Sequence, residues 1–173
     1  MDAARWLVRH GTDHRPVLVG LGLLAGTAET TDIPLITTIG LLPFADNAAI
    51  SVLATITDAF SGLVWLAERS RRHARIAAVH ALAGNTDPRA RDWVLGTPRE
   101  LLTADLARRV AEAHDITGLL DHPVASDHIW DAAGNLLLAM TAAGNYRYEI
   151  DRYAPAGAVY ARWCHHLNTR TPT

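Results

Sequence analysis

Residues 74–84 read Ala-Arg-Ile-Ala-Ala-Val-His-Ala-Leu-Ala-Gly, and this stretch decides the class of fold. One set of its apolar side chains recurs at the spacing of a single helix face, and a second set covers another side. The first set is Ala74, Ala77, Ala78, Ala81 and Leu82, and the second is Ile76, Val79 and Ala83. A helix that is apolar on two sides needs neighbours on both, so we predict an inner helix of a multi-helix fold.

The composition of the whole chain favours the same class. Of its 173 residues, 49% are hydrophobic but only 6% are aromatic, and alanine supplies much of the apolar total. Alanine favours helices, whereas sheets favour β-branched and aromatic residues. We therefore predict an all-α protein whose length suits a single domain covering residues 1–173.

Capping residues mark the predicted helix boundaries. Asp32 before Ile33-Pro34, and Asp87 before Pro88, place an acidic N-cap ahead of a proline in the first turn. The stretch Thr97-Pro98-Arg99-Glu100 predicts another start at residue 98, with a capping box. Ile116-Thr117-Gly118 predicts a turn. Glycines after apolar runs predict left-handed helix ends at Gly26, Gly84 and Gly144.

These boundaries recur along the chain. The three glycines are 58 and 60 residues apart, and an offset of 59 aligns Trp6-Leu7 with Trp65-Leu66. Second helices of hairpins are predicted to begin near residues 14, 46, 72, 98, 126 and 156, a spacing of roughly 29. Periods of that order are typical of stacked helical hairpins. We predict an α-solenoid of about six antiparallel helical hairpins.

Residues 65–88 carry a resemblance to a known family. Trp65-Leu66-Ala67-Glu68-Arg69 leads into the helix of residues 75–84, and Thr86-Asp87-Pro88 follows. This order resembles a HEAT-type repeat, in which a first helix leads into a second with an A-x-x-A-L core and a glycine end, and Asp-Pro often opens the next unit. The resemblance is strongest over residues 61–114. It implies an α-solenoid with a concave and a convex face, used mostly as a scaffold or binding surface and in a minority of proteins as an alkyl-base DNA glycosylase.

The helix of residues 102–112 is predicted to have a buried and a solvated stripe. Its polar stripe pairs Asp105 with Arg109, and Arg108 with Glu112, at i, i+4 spacing. We predict that these four side chains form a solvated outer face.

The most concentrated charge is a basic cluster in the turn inside one hairpin, which contains Arg69, Arg71, Arg72, His73 and Arg75. Arginine forks bind phosphate and carboxylate groups bidentately, so one interpretation is a site for an anion, a nucleic acid or an acidic protein. The other is a solvated turn, favoured by neighbouring Glu68 and by the expected absence of an aromatic platform nearby.

No spacing in the sequence indicates a metal, cofactor or catalytic site. The nine histidines lack the H-E-x-x-H pattern, and a predicted helix break separates His10 from His14. His114-Asp115, with His80 upstream and Asp131 downstream, is faintly similar to the H…HD…D order of metal-dependent HD-domain phosphohydrolases. The further carboxylates typical of those enzymes are absent, and we expect neither a metal nor a cofactor.

Tryptophans are predicted in first helices at Trp6, Trp65 and Trp93 and in second helices at Trp130 and Trp163, with core packing favoured for all of them. A glycosylase of this fold would set a tryptophan beside a catalytic aspartate in a basic groove. Trp130 with Asp127 and Asp131 fits that description, but the charge of the chain argues against a DNA groove. Tyrosines crowd the C-terminal part, where they either cap the stack or contact a partner: Tyr146, Tyr148, Tyr153 and Tyr160.

Charge and cysteine content limit the cellular compartments and the partners that we expect for this protein. The 16 basic residues are all arginine, a bias typical of GC-rich bacterial coding, and a net charge of −2 creates no overall field for nucleic acid. The single Cys164 suits a reducing compartment. Residues 1–6 do not resemble a signal peptide, and the apolar stretches 17–25 and 33–44 are too short to cross a bilayer. We expect a cytoplasmic protein without a membrane partner.

These observations favour a non-catalytic protein-interaction or scaffold module. The first helix is apolar for the end of a stack, with Ala3, Ala4, Trp6 and Leu7, so we expect self-association or docking of another protein through one end or face. The alternative is a nucleic-acid-binding or HEAT-like base-excision protein that uses the four arginines. A metal-dependent hydrolase is a third hypothesis.

Overall fold

The computed structural model describes residues 3–85, 87–123, 125–142 and 148–169. Within these ranges the chain forms eleven α-helices and three short 3-10 turns, and it contains no β-strand. The predicted all-α class is therefore confirmed. The expectations for Thr86, Gly144 and Tyr146 lie outside the described residues.

The helices fall into two compact units, Met1–Ala81 and Leu82–Thr173. The first unit contains six helices: α1 (Ala3–His10), α2 (His14–Leu24), α3 (Ile33–Gly40), α4 (Asp46–Leu53), α5 (Phe60–Arg69) and α6 (Arg72–Leu82), of which α6 ends at the first residue of the second unit. A 3-10 turn, Thr30–Asp32, precedes α3.

Helix pairs and alternate helices both make contact in the first unit. Consecutive helices pack as α1 on α2 and α3 on α4, while α2 also contacts α4 and α3 contacts α5. The interior is formed by side chains that are completely buried, Leu21, Leu24, Ile36, Leu53 and Leu66. Glycine lets the first pair approach closely, because a Cβ atom at Gly20 would lie 2.9 Å from the carbonyl oxygen of Ala4.

The second unit is organised around one long helix. Its elements are α7 (Pro88–Leu95), α8 (Ala104–Ala113), α9 (Ile116–Asp121), α10 (Asp127–Met140) and α11 (Ala156–Thr169), with 3-10 turns at Arg99–Leu101 and Glu149–Arg152. Helix α10 contacts α7, α8, α9 and α11. A Cβ atom at Gly134 in α10 would lie 2.6 Å from Nε1 of Trp163, so the missing side chain makes room for the indole of α11.

Five of the six predicted second-helix starts are confirmed to within one residue. Helices α2, α4, α6, α10 and α11 begin at His14, Asp46, Arg72, Asp127 and Ala156. The start predicted at residue 98 is wrong, because α8 begins at Ala104. The hydroxyl oxygen of Thr103 accepts a hydrogen bond from the Leu106 backbone N–H at 3.3 Å and caps α8. Thr97 is buried and donates instead to the Trp93 carbonyl oxygen at 3.5 Å.

The predicted turn at residues 116–118 is also wrong, since α9 begins at Ile116. Asp115 adopts a left-handed backbone conformation with φ of 42°, and its carboxylate accepts a hydrogen bond from the Gly118 backbone N–H at 3.2 Å. Aspartate tolerates this conformation better than most residues and is a good N-cap. It therefore lets α9 follow α8 almost directly.

The two aspartates predicted as N-caps behave differently. Asp87 accepts a hydrogen bond from the Arg89 backbone N–H at 2.9 Å, and α7 begins at Pro88 as predicted. Helix α3 also begins where predicted, but the Asp32 carboxylate accepts hydrogen bonds from Arg5 and from the Glu29 backbone N–H instead of capping α3.

The predicted left-handed helix ends are confirmed at one of the two described glycines. Gly26 follows α2 with φ of +86°. Gly84 does not adopt a positive φ, because the end of α6 is closed by a hydrogen bond from the Asn85 backbone N–H to the Leu82 carbonyl oxygen at 2.9 Å.

The two-sided burial predicted for residues 74–84 is only partly observed. Its buried residues are Ala74, Ala78, Val79, Leu82 and Ala83. Ile76 and Ala77 are half-buried, and Ala81 is exposed. The small alanine side chains leave one side of α6 incompletely covered.

The stripe predicted to be buried is confirmed at Leu106, Ala107, Val110 and Ala111, but Leu102 is half-buried and precedes α8. The prediction of a uniformly solvated polar face is wrong for Arg108. This side chain is only 18% exposed, and its guanidinium donates to Glu149 at 2.8 Å as well as to Asp105 and Glu112. These carboxylates raise the pKa of Arg108 above its already high usual value, while Arg108 lowers the pKa of Glu149. The ion pairs attach the turn Glu149–Arg152 to α8.

Candidate binding surfaces

The structure places the predicted arginine cluster at the junction of α5 and α6. Arg69 ends α5, Arg71 lies between the helices, and Arg72 begins α6. All three residues are exposed or nearly so, whereas Arg75 lies one turn into α6 and is half-buried. The Nε atom of Arg75 is buried and has no hydrogen-bond partner among the described residues.

An aromatic side chain supports this cluster, so the expectation that no aromatic platform lies nearby is wrong. The guanidinium of Arg69 lies 4.5 Å from the centre of the Trp65 ring, and its Nη1 atom donates to the Trp65 carbonyl oxygen at 3.1 Å. Trp65 is 39% exposed. The sequence could have indicated this contact, because Trp65 and Arg69 are four residues apart and are therefore neighbours on a helix.

An acidic residue from another helix lies beside the cluster. The Oδ2 atom of Asp46, at the start of α4, lies 3.4 Å from the Nε2 atom of His73. The Asp46 side chain is 6% exposed, and its Oδ1 atom also accepts a hydrogen bond from the Asn47 backbone N–H at 2.7 Å. Asp46 and His73 are distant in sequence, so no local pattern indicated this contact.

A second candidate surface is the first hairpin, α1 and α2. Three large apolar side chains are exposed there: Trp6 by 49%, Val19 by 56% and Leu23 by 53%. We call these three residues the first-hairpin surface. The ring of Trp6 lies 5.4 Å from that of His10. The predicted core packing of tryptophan is therefore wrong for Trp6 and for the exposed Trp65.

The junction of α3 and α4 is also apolar and exposed. Leu41, Leu42 and Phe44 are 48%, 40% and 43% exposed. The Phe44 ring makes an edge contact with His14, at the start of α2, with ring centres 6.0 Å apart. Exposed apolar side chains therefore occur on consecutive hairpins of the first unit.

The tryptophan considered for base stacking has one face covered. The rings of Trp130 and His166 are parallel to within 3°, with centres 4.3 Å apart, and the Nε2 atom of His166 lies 3.9 Å from Asp127. This contact and that of Trp163 with Gly134 hold α11 on α10. Trp130 is thus a packing residue in this arrangement.

The described histidines, cysteine and acidic residues form no group of three or more arranged to hold a metal ion. His10 and His14 end α1 and begin α2, so the predicted helix break between them is confirmed. Across the described ranges, none of the helices is both long and apolar enough to cross a membrane.

Comparison of the chain with protein-family models, with curated proteins and with solved structures found no match. The assignment of function therefore depends on the surfaces themselves.

Proposed function

We propose that this chain is a HEAT-like helical-repeat module of about six hairpins that associates with a second copy of itself through the first-hairpin surface. The repeat interpretation is supported by the alternation of helix starts and by the contacts of α2 with α4 and of α3 with α5. Stacked hairpins make such contacts between equivalent helices of successive pairs.

The composition of α2 is the observation that carries the proposal. From Val17 to Ala25 the helix and its end are apolar on every side, and a helix of this kind is normally buried all round. Here only one side is covered. Val19 and Leu23 each lie about 160° around the helix from the completely buried Leu21. The opposite side of α2 is therefore an apolar surface that gains free energy when a partner covers it.

The charges around the first hairpin are compatible with an identical partner. Exposed residues of both charges lie in this hairpin or just after it. The basic ones are Arg9 and Arg15, and the acidic ones are Asp13 and Glu29. Two copies related by a two-fold axis present the same surface to each other, and a mixture of signs avoids repulsion between like charges.

Light scattering coupled to size-exclusion chromatography tests self-association. We expect the molar mass to rise from monomer toward dimer between low and high micromolar concentration. The double substitution Val19→Glu, Leu23→Glu should hold the protein at the monomer mass, because two carboxylates would have to be desolvated in the interface. A matched control is Leu138→Glu, at a 42% exposed leucine of α10 in the second unit. A wild-type monomer at all concentrations would contradict the proposal.

The pairing of Arg69 with Trp65 supports a second candidate function, nucleic-acid binding. An exposed guanidinium stacked on an exposed indole, beside Arg71 and Arg72, is a pattern that binds single-stranded nucleic acid. Fluorescence anisotropy with labelled single-stranded and duplex DNA at low salt tests it. Binding that weakens with salt and is lost in Arg71→Ala, Arg72→Ala, but not in Arg15→Ala, Arg99→Ala, would favour this function. A fluorescence anisotropy that does not change as protein is added would contradict nucleic-acid binding.

A further inference from the structure

A cavity of about 290 Å³ lies in the second unit, between the start of α7 and the junction of α8 and α9. Its polar lining is provided by Asn85, Arg91, His114 and Asp115, and the rest by small residues. These residues come from two chain segments more than twenty positions apart, which the packing of the unit brings to one place.

His114 is the least satisfied polar group in this lining. It follows the last turn of α8, is half-buried, and its Nε2 atom is buried with no hydrogen-bond partner among the described residues. Burial, and secondly the positive charge of Arg91, lower the pKa of His114, which favours the neutral imidazole. A buried ring nitrogen without a partner costs free energy, and a ligand recovers it only if the ring turns toward the pocket.

Arg91 supplies the positive charge. It projects from α7, its side chain is 38% exposed, and its nearest ion-pair contact is the exposed carboxylate of the adjacent Asp92, at 3.4 Å. A contact of that length leaves most of the guanidinium donors available, and arginine favours bidentate binding of oxyanions.

Two further groups have a defined orientation. The side-chain oxygen of Asn85 accepts a hydrogen bond from the Asp87 backbone N–H at 2.9 Å, which leaves its amide N–H groups as donors. The Asp115 carboxylate accepts from the Gly118 backbone N–H, and its remaining acceptor capacity suits a hydroxyl group. The lining thus combines one fixed cation and neutral donors with the Asp115 carboxylate, which accepts from a hydroxyl group and requires an oxyanion to lie on the side of Arg91.

We propose that this cavity binds a small hydroxylated molecule through an oxyanion group, a phosphomonoester or a carboxylate. Arg91 pairs with the oxyanion, Asn85 hydrogen-bonds to it, and the His114 ring turns to donate to it. Asp115 accepts from a ligand hydroxyl. The volume lies near the lower limit for ligand pockets, so a metabolite of a few carbon atoms fits better than a nucleotide.

Two-dimensional NMR of the histidine side chains tests the proposal with three probes, glycerol 3-phosphate, malate and glycerol, at constant ionic strength. Either anion should shift the His114 ring signals saturably and raise the pKa of His114, because a bound negative charge offsets Arg91. Glycerol alone should not. Binding of one anion and not the other identifies the oxyanion class, whereas no saturable shift with either overturns the proposal.

Arg91→Gln separates ligand binding from general folding. Binding of the active probe should weaken at least about tenfold, the loss expected for a charge-assisted contact. The pKa of His114 in the ligand-free protein should also rise, which checks that the Arg91 charge lies close to the ring. Arg99→Gln, at an exposed arginine of the same unit, is the matched control. Equal affinity in Arg91→Gln and in the wild-type protein overturns the site.

Discussion

At the scale of residues, Arg5 and Asp32 form an ion pair that joins α1 to the turn before α3. The Arg5 Nε and Nη2 atoms donate to the two carboxylate oxygens at 2.8 and 2.7 Å. Asp32 is 3% exposed, and the hydrogen bond from Arg5 lowers its pKa. Its carboxylate also accepts from the Glu29 backbone N–H, so the charged form is well satisfied in the folded state.

We expect Asp32→Asn to lower the free energy of unfolding by about 1.5–3 kcal/mol, the usual range for hydrogen bonds to a charged group. The matched control is Asp87→Asn at a half-buried carboxylate, where asparagine retains the N-cap and only the ion pair with the exposed Arg89 is lost, so a smaller loss than in Asp32→Asn is expected. Urea denaturation measures both. Equal losses of unfolding free energy in the two variants would contradict a larger stabilising contribution from the Arg5–Asp32 pair.

The same pair predicts a dependence on pH. Because the folded-state pKa of Asp32 lies below its unfolded value of about 3.9, the pair stabilises the fold fully above that pH. Its contribution is lost as the pH falls through the folded-state pKa. The difference in unfolding free energy between wild-type protein and Asp32→Asn should therefore shrink in acid, as measured by denaturation at a series of pH values. A constant difference would contradict this assignment.

Only some of the contacts between individual side chains could be predicted from the sequence. The arginines at the α5–α6 junction are evident from charge alone, and Trp65 under Arg69 follows from helical spacing. The contact of His73 with Asp46 was not predictable, nor was that of Arg108 with Glu149, because the partners are far apart in sequence. Local patterns predict which charges are close along one helix, and tertiary packing decides the rest.

At the scale of elements, the crossing of α1 and α2 depends on one glycine. A Cβ atom at Gly20 would meet the Ala4 carbonyl oxygen at 2.9 Å and the Val8 Cγ2 atom at 2.8 Å. A Cβ atom at Gly22, two residues along the same helix, would meet nothing within 4 Å. Alanine at Gly22 therefore tests helix propensity alone, whereas alanine at Gly20 also tests the close packing of α1 on α2.

We expect Gly20→Ala to destabilise the protein by about 1–3 kcal/mol, because the backbone of α1 must move. Gly22→Ala should stabilise it by about 0.5–1 kcal/mol through the higher helix propensity of alanine. Thermal or urea unfolding of the two variants at low protein concentration provides the comparison. Stabilisation by both substitutions would mean that α1 and α2 do not approach as closely as described.

The existence of the helices could be predicted from the sequence, but the starts of α8 and α9 could not. Five of the six predicted helix starts were located to within one residue, because the signals for them are local. The sequence predicted a cap at Thr97, but Thr97 is buried and donates to the Trp93 carbonyl oxygen, and Thr103 caps α8 instead.

At the scale of the molecule, the exposed side of α2 and the cavity beside His114 are the features that local rules could not reveal. The sequence indicated an apolar first hairpin, but only the structure distinguishes covered Leu21 from exposed Val19 and Leu23. The sequence predicts for His114-Asp115 only a faint similarity to metal-dependent phosphohydrolases. In the structure the neighbours of this pair are Asn85 and Arg91.

Hydroxyl-radical footprinting at low and high protein concentration tests the central claim most directly, because it reports which side chains become covered. Our account predicts that oxidation of Trp6 and Leu23 falls at concentrations where the molar mass increases. Oxidation of Tyr160, which is 56% exposed in the second unit, should stay constant. Undiminished oxidation of Trp6 and Leu23 in the associated protein, or protection confined to the second unit, would contradict the claim that the first-hairpin surface is the interface.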